Sequence, residues 1–173
     1  DAYTITVADQ TLNLYYTGSN HEVGNIIIYS SQQKVLMMVD IVWPGWVPFQ
    51  SIGVADHIPG VIKAMDQLLT YDFDIYIGGH ADRLGTRQDI ELQKAYIIDL
   101  QQAAIQAYKE VDFNKLINDF GWEQRWSMFD NYFGQLSNNC SRKVVRKWKD
   151  KLKGAETFTP SNCKSIAFSI WMD

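Results

Sequence analysis

Only two cysteines, three histidines and four prolines occur among these 173 residues, and no apolar run reaches the roughly 18 residues that a membrane-crossing helix needs. Clustered positive charge is missing too. Lys and Arg number 16 against 20 Asp and Glu, for a net charge of -4, which removes the broad basic surface that nucleic acid demands. The one basic stretch, "SRKVVRKWKDKLK", repeats its charges at helical spacing around Val144, Val145, Trp148 and Leu152, the pattern of a solvated helix face. There is no Gly-x-Ser-x-Gly elbow, no Walker loop and no Gly-x-Gly-x-x-Gly turn. Serine hydrolases, phosphate-loop enzymes and dinucleotide binders lose their support with them. Neither an initiator methionine nor a signal peptide opens the chain, so "DAYTITVADQ" reads as a processed or engineered start.

What is present is a composition 46% apolar and 21% charged, enough for one globular domain with a sizeable core. Cys140 and Cys163 sit in the polar contexts "NNCSR" and "SNCKS". Polar neighbours predict an exposed pair, and the pairing reads as a disulfide closing a C-terminal loop, with two free thiols as the alternative. A disulfide places the protein in the periplasm or outside the cell; free thiols leave it in the cytoplasm. No Cys-x-x-Cys spacing accompanies the pair to suggest metal ligation.

Short β-rich segments come first: "YTITV", "LNLYY", "NIIIY" and "KVLMMVD". Those flanking "ADQT" predict a hairpin. "NIIIY" and "VLMMV" show no alternation, which predicts central strands covered on both faces. An aromatic loop, "IVWPGWVPFQSIGVADH", follows, kept irregular by Pro44, Gly45 and Pro48. Then come a helix in "PGVIKAMDQLL", a short strand in "DIYIGG", and the longest predicted helix, "TRQDIELQKAYIIDLQQAAIQAYKEV", with Thr86 as N-cap and Asp89 completing a capping box. Strand, loop, helix, strand is a crossover unit, so the fold class is α/β with a mixed sheet and flanking helices. After Asp112 the chain turns to helical pieces rich in Trp and Phe. The expected organisation is a domain over 1–112 and a helical, aromatic-rich extension over 113–173.

The chemistry-bearing residues are few. His21 precedes the strand "NIIIY", Asp40 ends "KVLMMVD", and His80 follows "DIYIGG". Singly, each is an ordinary turn or surface residue. Together they place two imidazoles and a carboxylate on one rim of one sheet, donors suited to Zn²⁺ or a similar divalent ion. Trp43 and Trp46 are candidate walls of a small-molecule pocket, and His57, in the loop before a helix, is a candidate contact on the same rim.

The order of these motifs resembles the C-terminal half of the metallo-β-lactamase superfamily. "NHEVGNIIIY" is similar to its His-x-x-Gly-Asp/Asn-x-x-x-Tyr element, "KVLMMVD" to its strand ending in a metal-bridging Asp, and "DIYIGGHADRLGT" to its Gly-His strand end. The resemblance covers roughly Ala2 to Asp112. It implies half of an αββα sandwich, with His21 and His80 each binding one of two zinc ions and Asp40 bridging them. It also implies a metal-dependent hydrolase acting on a small molecule through water activated near neutral pH. The family's other signature, His-x-His-x-Asp-His, is absent from these residues. The chain is therefore expected to be inactive or weakly active alone, with zinc partial or missing. An apolar sheet face should lie bare, to be covered by the missing N-terminal half or by a second copy. The alternative is a non-catalytic interaction module that pairs through that face.

Overall fold

The computed structural model describes residues 1–172. Five strands form one sheet in the order β1-β2-β3-β4-β5: β1 (Ala2–Val7), β2 (Gln10–Tyr16), β3 (Ile26–Ser30), β4 (Val35–Met37) and β5 (Ile75–Ile77). β1 and β2 make the predicted hairpin across Ala8 and Asp9, and β2, β3 and β4 continue it antiparallel. β5 then pairs parallel to β4, as the crossover through helix α2 (Ile58–Leu68) requires.

Register assigns every strand residue to one of two faces. Tyr15 opposes Ile27, Tyr29 opposes Leu36, and Leu36 opposes Tyr76; Ile27, Leu36 and Tyr76 are 0% exposed. This face packs into the core shared with α2 and with α3 (Arg87–Glu110). The other face carries Tyr3, Ile5 and Val7 of β1, Leu12, Leu14 and Tyr16 of β2, Ile26 and Ile28 of β3, Met37 of β4, and Ile75 and Ile77 of β5. None of these joins the buried core, and Tyr3 and Val7 are each 69% exposed. The expectation that both faces of β3 and β4 are covered therefore fails within this chain. Alternation is hidden in "NIIIY" because both faces are apolar, yet the helices cover only one.

The C-terminal helices are α4 (Phe113–Phe120), α5 (Arg125–Trp148) and α6 (Ala155–Met172), with a 3₁₀ turn at Trp122–Gln124. Among the helical pieces expected after Asp112, α5 runs unbroken from Arg125 to Trp148, as long as α3 at 24 residues. α5 and α6 share the core of the α/β part through Val144, Trp148, Cys163 and Ile166. Cys140 and Cys163 form a disulfide between these helices, with Cα atoms 6.0 Å apart. Both cysteines are 0% exposed, which corrects the exposed pair read from their polar neighbours. On a helix the relevant neighbours stand four residues away, and Leu136, Cys140, Val144 and Trp148 line one buried face of α5.

Between β4 and α2 the aromatic loop ends in a single turn, α1 (Gln50–Val54), that is left-handed at Ser51, Ile52 and Gly53, with Val54 also at φ 63°. Such backbone is costly for β-branched residues. α6 holds it in place: Asn162 Oδ1 accepts from Ile52 N at 2.5 Å, Asn162 Nδ2 donates to the Pro48 carbonyl at 2.9 Å, and Ser161 Oγ accepts from Ser51 N at 3.1 Å.

Candidate functional site

Asp40 follows β4 with φ at 60°, and its N–H donates to the Gly78 carbonyl at 3.0 Å, past the end of β5. That approach needs glycine, because a Cβ at position 78 would stand 2.2 Å from the Val42 carbonyl oxygen. Gly79 follows with φ 88°, and His80 emerges at the strand end next to Asp40. His21 comes from the turn before β3. Its N–H donates to Asn20 Oδ1 at 2.8 Å, and Asn25 Nδ2 donates to that oxygen at 3.0 Å and to the Val39 carbonyl at 2.9 Å. Asn25 thereby ties the turn carrying His21 to the residue before Asp40.

The three predicted donors meet. His80 Nε2 lies 2.9 Å from Asp40 Oδ1, and His21 Nε2 lies 3.5 Å from Asp40 Oδ2. Each carboxylate oxygen thus faces a different imidazole. The 2.9 Å separation is a close polar contact between the imidazole and the carboxylate. The 3.5 Å separation is close to the roughly 3.3 Å between two ligands of a tetrahedral ion bound at about 2.0–2.1 Å. His21 Nδ1 is a buried polar atom with no hydrogen-bond partner, so its imidazole is incompletely satisfied by this chain. Among the described residues no group of three or more His, Cys, Asp or Glu closes around one metal position. The donor chemistry suits a divalent ion, and Asp40 stands between the two imidazoles with one oxygen toward each.

A cavity of about 750 Å³ opens beside these residues, lined among others by His21, Asp40, His80, Trp43, Trp46, Phe49 and Phe158. A second hollow of about 350 Å³ runs from His21 and Asp40 over Ile26, Ile28 and Met37, on the bare face of the sheet. His57 lines neither cavity. It is the N-cap of α2, with Nδ1 accepting from Gly60 N at 3.1 Å, a structural duty that Pro59 in the first turn foreshadows.

Sequence reasoning missed Asn20, Asn25, Phe49, Phe158 and Asn162. Asn25 had a signal, standing in the Asp/Asn position of the first motif. Phe158 and Asn162 had none, because they reach the site from a helix at the far end of the chain.

Arg83, three residues beyond His80, grips Asp89 with both terminal nitrogens, at 2.9 and 2.6 Å. Asp89 Oδ2 also accepts from Thr86 N at 2.8 Å and from Thr86 Oγ1 at 3.0 Å. Burial opposes ionisation of Asp89, but the Arg83 and Thr86 bonds outweigh it and hold the carboxyl below its usual range. The loop from the metal-capable His80 is thus anchored on the first turn of α3.

No protein-family model matches the chain. It is 33% identical over 95 residues to the 2,4-dinitroanisole O-demethylase subunit alpha of Nocardioides sp. strain JS1661, an alignment that covers 53% of this chain and 28% of that protein. The chain therefore spans less than a third of this curated relative. Among solved structures it is similar to a metallo-beta-lactamase from Pontibacter korlensis, with a TM-score of 0.49 and 19% identity, over 55% of this chain and 45% of that one.

Proposed function

We propose that this chain carries part of the metal centre of a zinc-dependent hydrolase of the metallo-β-lactamase type, completed by ligands from outside these residues. The observation that carries the reading is the division of Asp40, whose two oxygens face His80 at 2.9 Å and His21 at 3.5 Å. The orphaned Nδ1 of His21 and the hollow leading from Asp40 onto the bare sheet face support it, because both leave room for a covering half.

In this reading His21, Asp40 and His80 would hold the metal together with ligands from outside these residues. When bound, the ions supply a nucleophilic water near neutral pH and positive charge against which the substrate's developing negative charge is stabilised. The protein's own part is placement. Asp40 is fixed by the Gly78 carbonyl and His21 by Asn20 and Asn25. Hydrolysis adds water across the scissile bond, and its proton leaves with the departing group. The buried disulfide supports a periplasmic or secreted setting.

Metal analysis and Zn²⁺ calorimetry on the chain test this. Weak binding that His80→Ala reduces supports the reading; absence of binding, or binding indifferent to His80→Ala, removes the metal from the isolated chain. A second reading, a non-catalytic module docking through the sheet, is favoured by the bare apolar face alone. A stable monomer that binds zinc counts against it.

A further inference from the structure

The cavity beside Asp40 has walls of a different character from the metal-capable rim. Trp43 is 8% exposed, and Trp46, Phe49 and Phe158 join it around the space. The Phe49 and Phe158 rings stand 5.2 Å apart at 57°, leaving their other surfaces to the cavity. A volume of about 750 Å³ falls in the range of pockets that enclose small molecules, roughly 300–1,000 Å³.

The wall is also expensive to build. Ile52 and Val54 adopt a left-handed backbone that β-branched residues rarely take, in a turn that Asn162 and Ser161 of α6 hold at Ile52 and Ser51. Val54 is 64% exposed and lines the cavity, so the strained turn presents an apolar side chain to it. Gly53 is required in the turn, since a Cβ there would stand 2.4 Å from the Trp43 ring. Strain kept by surrounding contacts at a cavity wall points to a shaped site.

Charge narrows the occupant. Glu22, Asp40 and Asp82 line the cavity. Lys153 stacks its ammonium 5.3 Å over the Trp46 ring but is bound to Asp82 at 2.9 Å. Arg83 is committed to Asp89. No lysine or arginine lines the cavity to receive an anion; of its three carboxylates Asp82 is paired with Lys153, Asp40 lies between the two imidazoles, and Glu22 stands on the metal-capable rim beside His21 rather than among the aromatic rings.

We propose that this cavity binds the uncharged aromatic portion of the substrate, one or two fused rings held against Trp43, Trp46, Phe49 and Phe158, with the bond to be hydrolysed directed at Asp40. The inference rests on the hydrolase reading for the word substrate; capture of the ring itself needs no metal.

Calorimetric titration of the metal-free chain with 2-naphthol tests it, beside the anion 2-naphthalenesulfonate and the cation trimethyl(2-naphthyl)ammonium. Saturable one-to-one binding of 2-naphthol is expected, tighter than either charged probe. Trp46→Ala and Phe158→Ala should each weaken it at least fivefold, Trp46→Phe should restore most of it, and Ile28→Ser on the bare sheet face should leave it unchanged. Circular dichroism of each variant verifies folding. Tighter binding of a charged probe, loss through Ile28→Ser, or indifference to both aromatic truncations overturns the proposal. Zinc binding without naphthol binding defeats this inference and spares the metal reading; naphthol binding without zinc binding does the reverse.

Discussion

The side chain of Asn162, itself 0% exposed, closes a two-bonded ring with the aromatic loop, accepting from Ile52 N at 2.5 Å and donating to the Pro48 carbonyl at 2.9 Å. Asn162 adjoins Cys163, whose disulfide to Cys140 fastens α6 to α5. The aromatic loop at the cavity wall is thus held by α6 rather than by the sheet whose ends carry the histidines.

Asn162→Ala strands a buried backbone donor and acceptor, each worth about 1–3 kcal/mol when left unpaired. We expect a loss of about 2–4 kcal/mol, with the loop around Ile52 cut early by protease before the sheet. Urea denaturation and limited proteolysis read this. A loss under about 0.5 kcal/mol would mean that the turn does not depend on α6.

Breaking the disulfide should cost about 3 kcal/mol, the loop-closure entropy expected for cysteines 23 residues apart. Cys140→Ser with Cys163→Ser, compared with the parent in urea, gives the figure. Thiol titration of the denatured parent should find no free groups; two free thiols would withdraw both the bond and the extracytoplasmic setting.

The two sheet faces should respond oppositely to truncation. Leu36→Ala, in the fully buried face, should cost about 2–5 kcal/mol. Ile28→Ala, on the half-exposed face, should cost about 1 kcal/mol or less in the isolated chain. Equal costs would show that something covers the second face in solution.

Asp89 ties stability to pH. Its carboxyl is held below the usual range, so the folded state favours the ionised form. That stabilisation is complete above the unfolded value near 3.8 and is lost as pH falls through the folded value. Asp89→Asn should flatten the decline in urea midpoint between pH 5 and pH 2.5, where the parent loses stability, and at pH 7 should cost about 1–2 kcal/mol for the lost cap. An unchanged acid slope would assign that dependence to other carboxylates.

Local pattern revealed the sheet, the hairpin, the crossover and the capping box of α3, because each depends on residues close in sequence. The rim of His21, Asp40 and His80 was legible because strand ends announce themselves. The bare face was expected from the resemblance and its missing half, whereas strands apolar at every position pointed to cover on both faces and hid which face the helices choose. What stayed hidden is tertiary: Phe158 and Asn162 reach the cavity only because α6 folds back over the aromatic loop. The buried cysteines were readable in principle from the four-residue spacing of Leu136, Cys140, Val144 and Trp148, had helical neighbours been weighed above adjacent ones. His57 likewise stood before Pro59 as an N-cap.

In the proposed function Asp40 serves two half-sites, one at each of two histidines. With only three imidazoles in the chain, side-chain NMR during a Zn²⁺ titration resolves it directly. His21 and His80 resonances should both respond, His57 should not, and Asp40→Asn should weaken both responses together. A response confined to His57, or His21 and His80 responses unaffected by Asp40→Asn, would contradict it.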